Sequence, residues 1–167
     1  FAYEVKGTVC FEVKKFSKYG ELSGLNHEEM IKISSERGAD PKDPNKQDPL
    51  DFIVWQKKKE GEPAWDSPWG EGRPGWHIEG SAMIYENLGE QIDIHGGGED
   101  LIYPHHESEI AQSESYTDKK PFVKHWMHVV YLKHEGEKMS KSLGNLIMVS
   151  DLLEKYSANA IRYLLLS

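Results

Sequence analysis

The chain is poor in cysteine, in long apolar runs and in positive charge. One cysteine, Cys10, stands among 167 residues. A single thiol excludes an internal disulfide framework and fits a reducing, cytosolic setting. No apolar stretch approaches the ~18 residues that a spanning helix needs, and no targeting segment is recognisable. Twenty Lys and Arg face 28 Asp and Glu, for a net charge of −8. An acidic surface of that kind is not by itself a basic nucleic-acid platform. The chain also lacks an initiating methionine and runs out at "AIRYLLLS" without a glycine or proline stop. It reads as an internal piece of a longer protein.

Local patterns place the elements. Tyr3, Val5, Val9, Phe11 and Val13 alternate with polar residues about Lys6 and Gly7, the pattern of a hairpin. Asn26 and Glu29 have capping-box spacing and open a short helix through Met30 and Ile33. "ERGADPKDPNKQDP" is a connector. Asp48 and Pro49 predict a helix start, with Leu50, Phe52, Ile53 and Trp55 on its apolar side. The segment "KEGEPAWDSPWGEGRPGW" is too long for an idle loop, and its tryptophans (Trp65, Trp69, Trp76) argue against disorder. Trp65 and Trp69 are expected to pack.

"HIEGSAMIYENLG" reads as a helix ending at Gly89, and Ile92 and Ile94 as a short strand. A glycine turn at Gly96, Gly97 and Gly98 and a helix opened by Pro104 are expected next. Part of "FVKHWMHVVYL" is a further strand, and Ser150 and Ser157 are expected caps of two last helices. Alternating strand, glycine turn and helix predict an α/β fold with a parallel sheet and flanking helices.

Two stretches carry chemistry. In "YPHHESEI", His105 and Glu109 lie one helical turn apart on one face, a spacing metals use. Taken alone, such a pair is more often a surface pair than a metal site. In "EKMSKSLGN", Lys138 and Lys141 sit three apart among small neighbours and can reach a polyphosphate, supplying compact positive charge to nucleotidyl transfer. An arbitrary Lys-x-x-Lys is most often a solvated turn.

The nine-residue stretch, however, resembles the Lys-Met-Ser-Lys-Ser signature of class I aminoacyl-tRNA synthetases. With "PAWDSPWGEGRPGWHIEGSAM" and "DIHGGGEDLIYPHHESEIAQSE" it resembles consecutive blocks of the cysteinyl-tRNA synthetase family, over essentially the whole chain. That resemblance implies the second half of a Rossmann-like catalytic domain. Residues 1–47 would be part of a connective insertion, 48–130 the catalytic half, and 131–167 the signature loop with its following helices.

It also implies ATP-dependent activation of cysteine to cysteinyl-adenylate and transfer to tRNA(Cys), with Mg2+ beside ATP. The expected enzyme is cytoplasmic and monomeric, and the chain alone inactive. Lys141 leads and Lys138 supports in transition-state stabilisation. Met139, Ser140 and Ser142 shape the ATP-binding loop. Gly96–Gly98 approach the nucleotide, and Trp76, His95 and Asp93 face the amino acid.

By the same resemblance a zinc ion binds the substrate thiol, and zinc prefers thiolate to hydroxyl. His105 and Glu109 fall on two of its four protein ligands, with His106 an orienting or packing neighbour. A third, thiolate position falls on Gly80, and the fourth lies outside the chain. Gly80 is a gap in the ligand set, and as a helical glycine it is expected to cost roughly 0.5–1 kcal/mol relative to alanine. Two rival readings are a related ligase that passes activated cysteine to an amino sugar and a synthetase-like protein without activity.

Overall fold

The computed structural model describes residues 1–134, 136–140 and 143–166, with Lys138 described by its backbone only. The chain divides into two compact units, Phe1–Val129 and Val130–Ser167.

The first unit opens on the expected hairpin, β1 (Ala2–Val5) and β2 (Thr8–Phe11). Lys6 and Gly7 both take positive φ (53° and 87°), which suits a two-residue turn matched to strand twist. Helix α1 (His27–Glu36) carries the capping box: Asn26 accepts from the Glu29 N–H and the Glu29 carboxylate accepts from the Asn26 N–H.

The predicted helix after Asp48 is instead a turn followed by strand β3 (Phe52–Lys57), which pairs antiparallel with β2. The reason is local. Asp48 accepts from Leu50 N–H, and buried Asp51 accepts from the Val13 and Asp48 N–H groups and the Tyr3 hydroxyl. These bonds fix a turn, after which the "FIVW" run suits a pleated, half-buried surface. Strand β4 (Gly72–Pro74) completes an antiparallel sheet in the order β1-β2-β3-β4. Residues 1–47 and 48–130 thus share one sheet.

Helix α2 (Trp76–Leu88) ends at Gly89, whose φ of 93° suits glycine. Strand β5 (Ile92–Gly98) runs parallel to β6 (Val123–Val129). The expected glycine turn is a correction: Gly96, Gly97 and Gly98 lie in β5, opposite Met127, His128 and Val129. A short 3-10 turn (Glu99–Leu101) and a wide turn (Ile102–His106) lead into α3 (Glu107–Thr117). With helices flanking a parallel pair and an antiparallel sheet alongside, the fold is α/β, as expected.

One core joins Phe11, Val13, Phe16, Met30, Leu50 and Phe52 to Tyr103 and Ala111. A smaller one gathers Ile92, Phe122 and Val123. The three loop tryptophans are not core residues: Trp65, Trp69 and Trp76 are exposed, Trp69 against Trp55 and Trp76 against His105.

The second unit holds a small antiparallel pair, β7 (Lys133–His134) with β8 (Glu137–Lys138), then α4 (Val149–Leu153) and α5 (Ala158–Leu166). Ser157 caps α5 by accepting from Ala160 N–H. Ser150 does not cap α4, because the helix starts one residue earlier, behind Met148. Among the described residues, no helix is long and apolar enough to cross a membrane.

Candidate active site

Five elements of the first unit converge on a cluster of histidines. Helix α2 contributes Trp76, His77 and Gly80; β5 contributes His95 and Gly97; the wide turn contributes His105 and His106; the first turn of α3 contributes Glu109; β6 contributes Trp126 and His128. The expected pair is brought together: His105 Nε2 lies 3.6 Å from Glu109 Oε1. Glu109 is 1% exposed, and its other oxygen lies 2.8 Å from His95 Nε2. His105 Nδ1 shares a hydrogen bond with His77 Nδ1 at 2.9 Å, and Trp76 stacks on the His105 ring at 4.2 Å.

His106 is fully buried, and its Nδ1 lies 2.7 Å from His128 Nε2. Gly97 makes room for it, since a Cβ there would meet His106 Cε1 at 2.9 Å. Trp126 and His128, two apart on β6, stack with rings 8° from parallel.

Burial lowers the pKa of four of these histidines. It pushes His77 down to about 4, with the neighbouring His105 adding to the shift. Burial likewise takes His106 down to about 3, helped by His95, His128 and His105. His105 is lowered by burial and opposed by the Glu109 charge, and His128 is lowered by burial. Neutral imidazoles over a buried carboxylate can ligate a soft-to-borderline cation or hydrogen-bond a polar substrate. The ligand atoms of His95, His106 and Glu109 all lie within 4.8 Å of one another.

Gly80 faces the same point. A Cβ there would lie 2.1 Å from Glu109 Oε1 and 3.8 Å from His105 Nε2. Residue 80 is therefore aimed at the His105–Glu109 pair, and the Glu109 carboxylate occupies the space its side chain would fill.

Asp93 is exposed, its carboxyl held below the usual range by an ion pair with Lys124 at 2.8 Å. Gly96 and Gly98 sit in β5 near the histidines in sequence, without a side chain to contribute. In the second unit, Lys138 is in β8, Met139 N–H bonds Leu132 O, and Ser140 N–H bonds Asn145 Oδ1 at 2.9 Å. Lys141 and Ser142 lie outside the described residues. His77, Trp126 and His128 were not singled out from sequence. The signal was present in "HWMH", whose alternate residues share a strand face once "FVKHWMHVVYL" is read as a strand.

The profile of the family described as tRNA synthetases class I (C) catalytic domain matches residues 1–167. The chain is similar to cysteine–tRNA ligases from a Picosynechococcus species (56% identical over 167 residues, 99% of this chain and 35% of the relative) and Carboxydothermus hydrogenoformans (54% over 167 residues, 100% and 35%). A third relative so named, from Caldicellulosiruptor saccharolyticus, is 54% identical over 166 residues, 99% of this chain and 35% of its own length. The chain thus spans about a third of the length of the curated relatives it matches. With its parallel β5–β6 pair and the match over its full length, it belongs to the class I (C) tRNA synthetase catalytic-domain family.

Proposed function

We propose that the chain is part of the catalytic domain of a cysteine–tRNA ligase, which activates cysteine with ATP, releases pyrophosphate and passes cysteine to tRNA(Cys). The observation that carries this reading is the similarity, at 54–56% identity over the whole chain, to relatives of that name. The reading comes with a cytoplasmic, monomeric enzyme and Mg2+ as the partner of ATP. The chain's residues divide the work between two chemistries. The half-buried histidine cluster with Trp76 over His105 forms the amino-acid end, with His95 and Asp93 on the substrate side. Lys141 and Lys138, with Met139, Ser140 and Ser142, supply charge to the phosphates, and Gly96–Gly98 leave the β5 backbone open to the adenylate.

The zinc ion that the reading implies does not fit the residues present as a closed site. Of the ligand set that the reading implies, His105 and Glu109 supply two donors, and residue 80, which is aimed at them, is a glycine with none; the His95, His106 and Glu109 donor atoms, within 4.8 Å of one another, form a different set. Structural zinc sites take four ligands and catalytic ones three plus an open position. No catalytic step is therefore routed through the metal.

The test is cysteine-dependent ATP–pyrophosphate exchange by the complete gene product, followed by charging of tRNA(Cys). Exchange with cysteine and charging of the tRNA are expected. Exchange driven by a different amino acid, or transfer of cysteine to an amino sugar and not to tRNA, overturns the reading. The 167-residue chain alone is expected to give no exchange.

A further inference from the structure

The segment bearing His105 and Glu109 is not held by the parallel sheet alone. Residues 19–37, from the insertion-like part of the chain, grip it along its length. Tyr19 hydroxyl and Ser108 Oγ lie 3.0 Å apart. Ser23 N–H donates to the buried Glu107 carboxylate at 2.9 Å. Ser34 Oγ meets the hydroxyl of buried Tyr103 at 2.9 Å. Arg37, at the C-terminal end of α1, donates through Nη1 to the carbonyls of both Asp100 and Tyr103. These contacts bracket His105 from both sides, and each spans 63 to 89 residues of sequence.

Arg37 is the member whose chemistry is hardest to replace. Tyr103 is extended (φ −133°, ψ 134°) in the middle of the turn, so its carbonyl is turned out of the helical ladder. A carbonyl left without a donor near a buried segment costs free energy. A guanidinium satisfies this carbonyl and that of Asp100 at once, tying the 3-10 turn to the wide turn two residues before His105. Both bonds leave one nitrogen, so a lysine ammonium has donors enough, but it carries them on a flexible, strongly hydrated stem and not on a planar, pre-organised group. His105 in turn is set against Trp76, His77 and Glu109.

We infer that Arg37 is a positioning residue of the amino-acid pocket: acting with Ser34, it fixes the 100–105 turn so that His105 stays against Trp76 and Glu109. Through it, the insertion-like segment controls the amino-acid pocket of the first unit. The inference rests on the proposed reading for its kinetic consequence, but its structural content can be measured without any activity.

The experiment compares the complete protein with its Arg37→Gln, Arg37→Lys and Ser34→Ala variants by two readouts. The first is modification of individual histidines by diethylpyrocarbonate, followed by mass spectrometry. In Arg37→Gln, His105 should be modified several-fold faster than in the parent, as a lost charged hydrogen bond loosens a buried group, while exposed His27 keeps its rate. Arg37→Lys should fall between, and Ser34→Ala should move His105 in the same direction by less. The second readout is the KM for cysteine against the KM for ATP in pyrophosphate exchange. Arg37→Gln should raise the cysteine value about tenfold and leave the ATP value within about twofold, the size a misplaced side chain produces at one end of a site. Unchanged His105 modification, or both KM values rising together, overturns the inference. Absence of cysteine-dependent exchange in the parent protein removes the functional reading only, and the modification rates still decide the role of Arg37. If Arg37→Gln does not fold, Ser34→Ala and Arg37→Lys carry the same comparison.

Discussion

The histidine cluster and the lysine signature are put together in opposite ways. The first is assembled from five elements between residues 76 and 128, and its histidines and Glu109 are buried or half-buried and bonded to one another. The second is a short contiguous stretch in a unit where, among the described residues, only Ile161 is buried. A site built from distant elements depends on the core beneath it. A site carried by one short stretch depends on that stretch and its near neighbours, as Met139 bonds Leu132 and Ser140 bonds Asn145. The two should therefore fail differently, and variants can be chosen to strike one and spare the other.

The largest effect is expected at Phe52. Its buried ring stacks on Phe11 at 4.9 Å and meets the edge of His77 at 5.5 Å, so it links the antiparallel sheet to the histidine cluster. Phe52→Ala should lower stability by about 3–5 kcal/mol, the usual cost of emptying such a position. All five tryptophans, at 55, 65, 69, 76 and 126, belong to the first unit, so urea unfolding followed by fluorescence reads that unit. Hydrogen exchange in α5 should change far less. Equal loss in both units would mean that they unfold as one and would break the comparison.

Next in size is Lys141→Ala in the complete protein. An electrostatic contact made in the transition state is worth ~10²–10³ in rate, and it is expressed in kcat and not in ground-state binding. Pre-steady-state adenylate formation should slow by that factor with the cysteine KM unchanged. Adenylation at the parent rate would remove the lysine from the chemistry.

How much of this was legible in the sequence follows the same division. The lysine signature needs no fold to be read, because its residues are adjacent. The hairpin at Lys6–Gly7, the capping box of α1 and the end of α2 at Gly89 are likewise local, and the structure has them all. The strand at Phe52 was missed because Asp48-Pro49 is a good helix opening until Asp51 is seen bonding the backbone of Val13, 38 residues away. The roles of His77 and Arg37 were not legible at all, since each depends on a partner that only tertiary packing supplies; "HWMH" puts Trp126 and His128 on one strand face but does not show His106 as the partner of His128.

Gly80 gives a smaller effect, and there the structure reverses the expected sign. From sequence, Gly80→Ala should help α2 by roughly 0.5–1 kcal/mol. In the fold, a Cβ at that position would lie 2.1 Å from Glu109 Oε1 and must displace a buried carboxylate bonded to His95. Hydrogen bonds to charged groups contribute about 1.5–3 kcal/mol. Gly80→Ala should therefore destabilise the first unit by about 1–2 kcal/mol. Gly80→Cys meets the same crowding but adds a thiolate beside His105 and Glu109, so it should recover stability when zinc is added and the alanine variant should not. Melting temperatures with and without zinc separate the two. Stabilisation of Gly80→Ala by zinc equal to that of Gly80→Cys would show that residue 80 is not a ligand position.

The smallest effect tests the reach of the first unit's long-range design. Asn26 caps α1, the helix whose far end carries Ser34 and Arg37. Its side chain accepts the Glu29 N–H at 3.0 Å, and the Glu29 carboxylate accepts the Asn26 N–H at 2.9 Å. Asn26→Ala removes one of these bonds and should cost about 1 kcal/mol of stability. Because α1 is only ten residues long, fraying at its start brings its last turn closer to the free end. If α1 holds the 100–105 turn in place, the variant should also raise the diethylpyrocarbonate reactivity of His105, by less than Arg37→Gln does. The adenylation defect of Lys141→Ala, by contrast, should be the same with or without Asn26→Ala, since the lysine signature is one contiguous stretch of sequence. A double variant whose rate loss exceeds the product of the two single losses would show the lysine signature leaning on α1 after all, and the contrast between an assembled site and a local one would fail.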